Sequence, residues 1–292
     1  MSTRNIEKII KPNSFNWVGD AFYTTSFVGS TSEITRERMD PFIGIGYNPT
    51  LNFTGTLNPR GVGAHPHKGF ETVTIAYQGK IAHKDSKGNF GIIGEGDVQW
   101  MTAGSGILHQ EYHEKEWSKK GGPFQMVQLW VNLPAKYKLT TPHYQDLLRK
   151  NITKVVLENN NGTIDVIAGK YKDSIGKVNT YSSLHLYNIR LNKDGISSFD
   201  FPNHYNTGLI VIKGSILVNR SELIPQDHFT LLENNKGTFF EIQATTEDTV
   251  VLLLSGEPLN EPIVMYGPFV MNNEEQIKEA FTEFKNGKYG TI

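Results

Sequence analysis

FETVTIAY, residues 70–77, alternates two sets of side chains: Glu71, Val73, Ile75 and Tyr77 fall on one face, Phe70, Thr72, Thr74 and Ala76 on the other. A period of two marks an extended strand, and Gly79 just beyond it predicts a tight turn. The pattern recurs at 124–133 (FQMVQLWVNL), 184–191, 207–212, 215–218, 238–243 and 249–254, with turn clusters such as Lys87-Gly88-Asn89 and Asn192-Lys193-Asp194-Gly195 between runs. Many short strands at this spacing predict an all-β sandwich or barrel rather than an alternating α/β chain. The exception is 273–286, where Ile277, Ala280, Phe281 and Phe284 stand at helical spacing and predict one terminal helix.

The chain also echoes itself. TIAYQGKIAHKDS around Gly79 is matched by LIVIKGSILVNRS around Gly214, 135 positions later, and Asp97 in GEGDVQWM by Asp227 in IPQDHFTL, 130 positions later. Each half then holds strand, Gly turn, strand, Asp-containing turn and strand, so a duplicated domain is expected. A boundary within 142–150 gives domains 1–142 and 143–292, with 147–161 as a polar connector.

At 292 residues and 32.8 kDa the chain can bury a sizeable core without staples. Apolar residues at 38%, charged residues at 20%, 28 Gly and 13 Pro argue against disorder and coiled coil. Lys plus Arg is 29 and Asp plus Glu is 30, so the net charge of −1 offers no field to recruit nucleic acid or anionic lipid. Cysteine is absent, which excludes disulfides, thiolate nucleophiles and Cys-ligated zinc or iron–sulfur sites. MSTRNIEKIIKPNSFNW has no signal-type apolar core and 250–254 is too short to span a bilayer, so a soluble cytoplasmic protein without membrane attachment is expected.

The nine histidines are uneven: five lie between His65 and His113, where an even spread would put roughly 1.5. In an extended segment His65 and His67 point to the same side, and Pro66 between them suits a strand start or edge. His109 and Glu111 repeat the i, i+2 geometry with one imidazole and one carboxylate. On neighbouring strands the two pairs would offer three nitrogens and one oxygen, a set that suits Fe, Ni, Co, Mn or Zn rather than Ca²⁺ or Mg²⁺. Fe(II) is the first choice. Four protein ligands leave about two positions open on a six-coordinate ion, as a catalytic site requires.

Other candidates have plainer readings. His113 shares the parity of His109 and Glu111, but beside Glu114, Lys115 and Glu116 it reads as a solvated loop residue. His83 reads as a strand histidine whose ring finds a hydrogen bond, with a place behind the ligands as its alternative. Glu71 is either a ligand or a buried acceptor, and histidines 143, 185, 204 and 228 read as structural. Gly91, Gly94 and Gly96 mimic phosphate-loop spacing, yet no helix follows, so they read as turns. Gly104-Ser105-Gly106 lacks the strand-to-helix context of a nucleophile elbow.

The segments HPHKGFETVTIAYQGKIAHKDSKGN, GEGDVQWMTAGSGILHQE, QLWVNLPAKYK and LSGEPLNEPIVMYGPFVMNNEEQI resemble signature segments of the pirin family, within the cupin superfamily, and together run from about Arg60 to Asn286. The resemblance implies a bicupin, two antiparallel β-barrels facing each other with a short helix near the carboxy terminus. It implies metal ligands on the HPH and LHxE motifs, here His65, His67, His109 and Glu111, which leaves Glu71 second. It also implies a metal-free second barrel, with Asp200 and Pro202 where an offset of 135 places the first His pair.

Pirins resemble quercetin 2,3-dioxygenases, which open a flavonol ring with O₂ and release CO. The implied substrates are thus a flavonol-like aromatic and O₂, with Glu111 as both ligand and general base and Phe70, Met126 and Trp130 as candidate apolar walls. A second implied role is non-enzymatic: a metal-sensing regulator that binds protein partners as a transcriptional or metabolic cofactor. A third is a cupin isomerase or a different dioxygenase.

Overall fold

The structure, a computed structural model, describes residues 2–29 and 32–292. Its strands fall into two compact units, each an antiparallel cupin-type barrel, in keeping with the expected all-β class. The units are not the two halves 1–142 and 143–292. One comprises 14–37, 41–150 and 259–292; the other comprises 1–13, 38–40 and 151–258.

The reason is that sheets and cores recruit strands by pairing and burial, not by order along the chain. Ile6–Ile10 pairs antiparallel with Phe229–Leu232 and extends a sheet of the second barrel. At the other end, Phe269 bridges to Lys68 in the first barrel, and Glu274–Lys285 forms the expected helix. Asn273 caps that helix by accepting from Gln276 N, while Ile277 and Ala280 pack into a cluster with Phe269, Met271 and Tyr289. Among the described residues no helix is long and apolar enough to cross a membrane.

In the first unit the strands of the two main sheets are β1 (Asn16–Val18), β2 (Phe22–Val28), β3 (Phe42–Thr54), β4 (Gly61–His67), β5 (Phe70–Gln78), β6 (Ile81–Asp85), β7 (Phe90–Ile93), β8 (Val98–Thr102), β9 (Ile107–His113), β10 (Gly121–Asn132) and β11 (His143–Leu147), and Val264–Tyr266 and Phe269–Met271 pair as a closing hairpin. One sheet runs β11-β8-β5-β10-β3-β2-β1 and the other β4-β9-β6-β7. Gly94 and Gly96 lie in the turn between β7 and β8 as expected, but Gly91 does not mark a turn: it lies within β7.

The second unit repeats the plan, with a seven-stranded sheet containing Asn206–Lys213 and Thr249–Gly256 and a four-stranded sheet ordered Ile196–Asp200, Phe239–Ala244, Ser215–Val218, Glu222–Pro225. The segment expected to be a plain connector contains a strand, Thr153–Val156, paired with Gly162–Ala168 because Val155 packs on the second core. The Gly79 and Gly214 turns do correspond, with φ of 84° and 78°. The second echo is displaced by one residue: Gly96 N donates to Ala76 O at 2.7 Å as Asp227 N donates to Val211 O at 2.8 Å, so Asp227 matches Gly96 rather than Asp97. Both take positive φ, 83° and 66°, a conformation that Gly and Asp tolerate.

Register carries the correspondence into the barrel. His109 opposes His65 across β9 and β4, and Phe240 opposes Phe199 in the second unit. The counterparts of His65, His67, His109 and Glu111 are therefore Phe199, Phe201, Phe240 and Ile242, not the exposed Asp200 and Pro202. These four side chains sit in one buried cluster, with the Phe199 and Phe240 ring centroids 5.3 Å apart. Where the first barrel places imidazoles and a carboxylate, the second is filled by hydrocarbon.

Candidate metal centre

β9 is the central element of the site. Ile107, His109, Glu111 and His113 are its buried parity, and the neighbouring strands set their partners: β4 brings His65 opposite His109 and His67 opposite Ile107, while β6 brings His83 opposite Glu111. Ligand atoms of His65, His67 and His109 all lie within 4.8 Å of one another, as do those of His83, His109 and Glu111. The expected four residues thus meet as two overlapping triplets that share His109, and His83 joins the carboxylate side.

Hydrogen bonds assign the tautomers. His65 Nδ1 lies 2.8 Å from Gly63 O and His67 Nδ1 3.3 Å from Pro268 O; a carbonyl only accepts, so both Nδ1 atoms carry a proton and Nε2 is the atom each ring can offer to a metal. His109 Nδ1 faces His83 Nδ1 at 3.5 Å, and its buried Nε2 has no hydrogen-bond partner. Burial, reinforced by His65, depresses His67 to about 3, and burial with the neighbouring histidines holds His109 well below its usual value. Neutral imidazoles with free lone pairs are the protonation state a metal requires.

Glu111 is buried, and an isolated buried carboxylate would cost several kcal/mol. It is instead hydrogen-bonded on both oxygens: Thr74 Oγ1 and Gln99 Nε2 donate to Oε1, each at 3.3 Å, and Gln128 Nε2 donates to Oε2 at 2.9 Å. Gln99 also donates to His83 Nδ1 at 3.2 Å. The orphan His109 Nε2, the two correctly protonated imidazoles and the anchored carboxylate fit a single divalent ion.

A cavity of about 530 Å³ opens on His65, His67 and Glu111. Ile43, Ile45, Met126, Trp130 and Met265 line its apolar wall. Of the three expected walls, Met126 and Trp130 face it; Phe70 is fully buried and packs against Trp130, ring centroids 4.3 Å apart. The space suits a small, flat organic ligand.

Pirin family models match the chain twice: Pirin over residues 24–131 and the pirin C-terminal cupin domain over 186–290. The chain belongs to the pirin family. A Pseudomonas aeruginosa relative named "Putative quercetin 2,3-dioxygenase" is 42% identical over 274 residues, covering 94% of each chain. The crystal structure of a quercetin 2,3-dioxygenase from Acinetobacter baumannii superposes with a TM-score of 0.92 at 41% identity over 100% of both chains. A bacterial pirin from Escherichia coli, solved in complex with nickel(II), shares the fold at a TM-score of 0.66 and 21% identity, covering 86% of this chain and 100% of its own.

Within this pirin one sequence expectation changes, that for His113, and the two alternatives for Glu71 resolve to the buried acceptor. His113 is no solvated loop residue: it ends β9, is buried among Phe22, Phe53, Trp117 and Phe124, and burial lowers it to about 4. Glu71 is an acceptor outside both triplets, taking hydrogen bonds from Trp100 Nε1 at 3.0 Å and Thr102 Oγ1 at 2.6 Å. Sequence reasoning did not single out Gln99, Gln128 or Pro268. The glutamines had a signal, being polar residues inside otherwise apolar strands; Pro268, on the closing hairpin more than a hundred residues away, had none.

Proposed function

We propose that this pirin is a metal-dependent dioxygenase that opens a flavonol such as quercetin with O₂ and releases CO. The observation that carries the proposal is one cavity, apolar along its wall, onto which two imidazoles and a hydrogen-bonded carboxylate face together. Its likeness to a quercetin 2,3-dioxygenase over the whole chain supports the same reading. His65, His67, His109 and Glu111 are the proposed ligands and Fe(II) the proposed ion; the nickel(II) of the E. coli pirin makes nickel the alternative. The bound ion would act as a Lewis acid toward the substrate hydroxyl and allow O₂ chemistry at the same place.

The chain's own groups do the rest. Trp130 and Met126 orient a flat aromatic ring, and the apolar wall excludes water. Glu111 accepts the proton of the flavonol 3-hydroxyl, while Gln128 and Gln99 hold its two oxygens in place. The test is elemental analysis of the protein as isolated, followed by an assay of O₂ uptake and CO release with quercetin on the same sample. Glu111→Gln should abolish turnover with an unchanged circular dichroism spectrum. Metal-loaded protein that leaves flavonols and O₂ unconsumed would discard the enzyme and favour the metal-sensing role.

A further inference from the structure

We infer that Arg36 forms an anion-binding subsite in the cavity of His65, His67 and Glu111, and that the native substrate is an aromatic compound bearing a carboxylate or ionised phenol oxygen. The inference rests on the reading of that cavity as the substrate site.

Arg36 opens the short helix Arg36–Met39 and lines this cavity, where it is the one arginine or lysine among the described residues. Its guanidinium has no hydrogen bond or ion pair among the described residues, and its Nε is buried without a partner. That is unusual for arginine: a partly buried guanidinium left unpaired costs free energy that a planar anion would recover through a bidentate contact.

Gly29 adjoins the cation. A Cβ at position 29 would lie 3.8 Å from Arg36 Nη2, and the φ of +149° there disfavours a side chain. A neutral flavonol would use the apolar wall and leave this cation unpaired; an anionic substituent uses both.

The experiment compares three probes by isothermal titration and tryptophan quenching in the metal-loaded protein: 3-hydroxyflavone, its 4′-carboxylate, and 3,4′-dihydroxyflavone. The carboxylate should bind at least roughly tenfold tighter than the neutral parent, with the advantage shrinking between low and high salt. Arg36→Gln should bring the ratio of the two dissociation constants close to one, and Arg36→Lys should restore part of it. A rise in 3,4′-dihydroxyflavone affinity as its phenol ionises would assign an ionised phenol; a gain confined to the carboxylate would assign a carboxylic acid. Equal affinities for neutral and carboxylate probes in the unmodified protein, or a ratio untouched by Arg36→Gln, overturns the subsite. Because binding is read without turnover, loss of the dioxygenase reading alone leaves this result standing, whereas binding of no probe removes both.

Discussion

The Nδ1 atoms of His83 and His109 stand 3.5 Å apart, so one must donate and the other accept. Asp85 decides which. Its Oδ2 lies 3.3 Å from His83 Nε2 and accepts the hydrogen bond of that N–H, leaving His83 Nδ1 as an acceptor shared by Gln99 Nε2 and His109 Nδ1. Burial alone would raise Asp85, but hydrogen bonds from His83, Asn89 and Lys87 outweigh it and keep the carboxylate ionised. The chain Asp85–His83–His109 therefore turns the His109 Nε2 lone pair outward from the relay. His83→Leu and Asp85→Asn should each weaken divalent-metal affinity about 10- to 100-fold with the fold retained, as read by chelator competition and circular dichroism. Wild-type affinity in both variants would show that the relay does not orient the ligand.

Glu71 should make stability depend on pH. Burial raises its carboxyl to about 7 from an ordinary 4.5, although Thr102 and Trp100 oppose the shift. A group held more tightly protonated in the folded state stabilises fully below about 4.5 and loses that contribution as pH rises through about 7. Glu71→Gln mimics the protonated form. Compared with the natural chain, its unfolding free energy should fall less between pH 4.5 and 8, by about 2–3 kcal/mol, in urea titrations at a series of pH values. Parallel pH profiles would place Glu71's titration elsewhere.

The hydrocarbon filling of the second barrel predicts an asymmetric response. Phe240 is fully buried and packs on Phe199 and Phe201. Phe240→Ala should cost about 3–5 kcal/mol through lost burial and the cavity left behind, seen in denaturant unfolding. Metal stoichiometry by elemental analysis should stay the same, because no ligand atom lies in that cluster. A halved metal content would contradict a single-ion protein.

Lys138 holds the closing segment to the first barrel. Its buried ammonium donates to Asn132 Oδ1 at 2.7 Å, Gly69 O at 2.9 Å and Val270 O at 3.1 Å. Lys138→Met keeps the length of the side chain but leaves three acceptors without their donor, and should destabilise by about 3 kcal/mol or more. Pro268, two residues before Val270, fixes the His67 tautomer, so metal affinity should fall with stability. Chemical denaturation and metal titration check the pair.

Strand periodicity and the paired spacing of His65, His67, His109 and Glu111 were legible in the sequence because both are local: side chains two apart share a strand face whatever surrounds them. Local pattern also located the terminal helix, from the spacing of Ile277, Ala280, Phe281 and Phe284. Tertiary structure alone decided what lies across strands or between distant segments. It put His83 opposite Glu111, brought Pro268 to His67, assigned the two chain ends to their barrels, and placed Phe199, Phe201 and Phe240 where imidazoles stand in the first barrel. Such pairings depend on register, and a shift of one residue, as between Gly96 and Asp97 as the partner of Asp227, exchanges which side chains face the core.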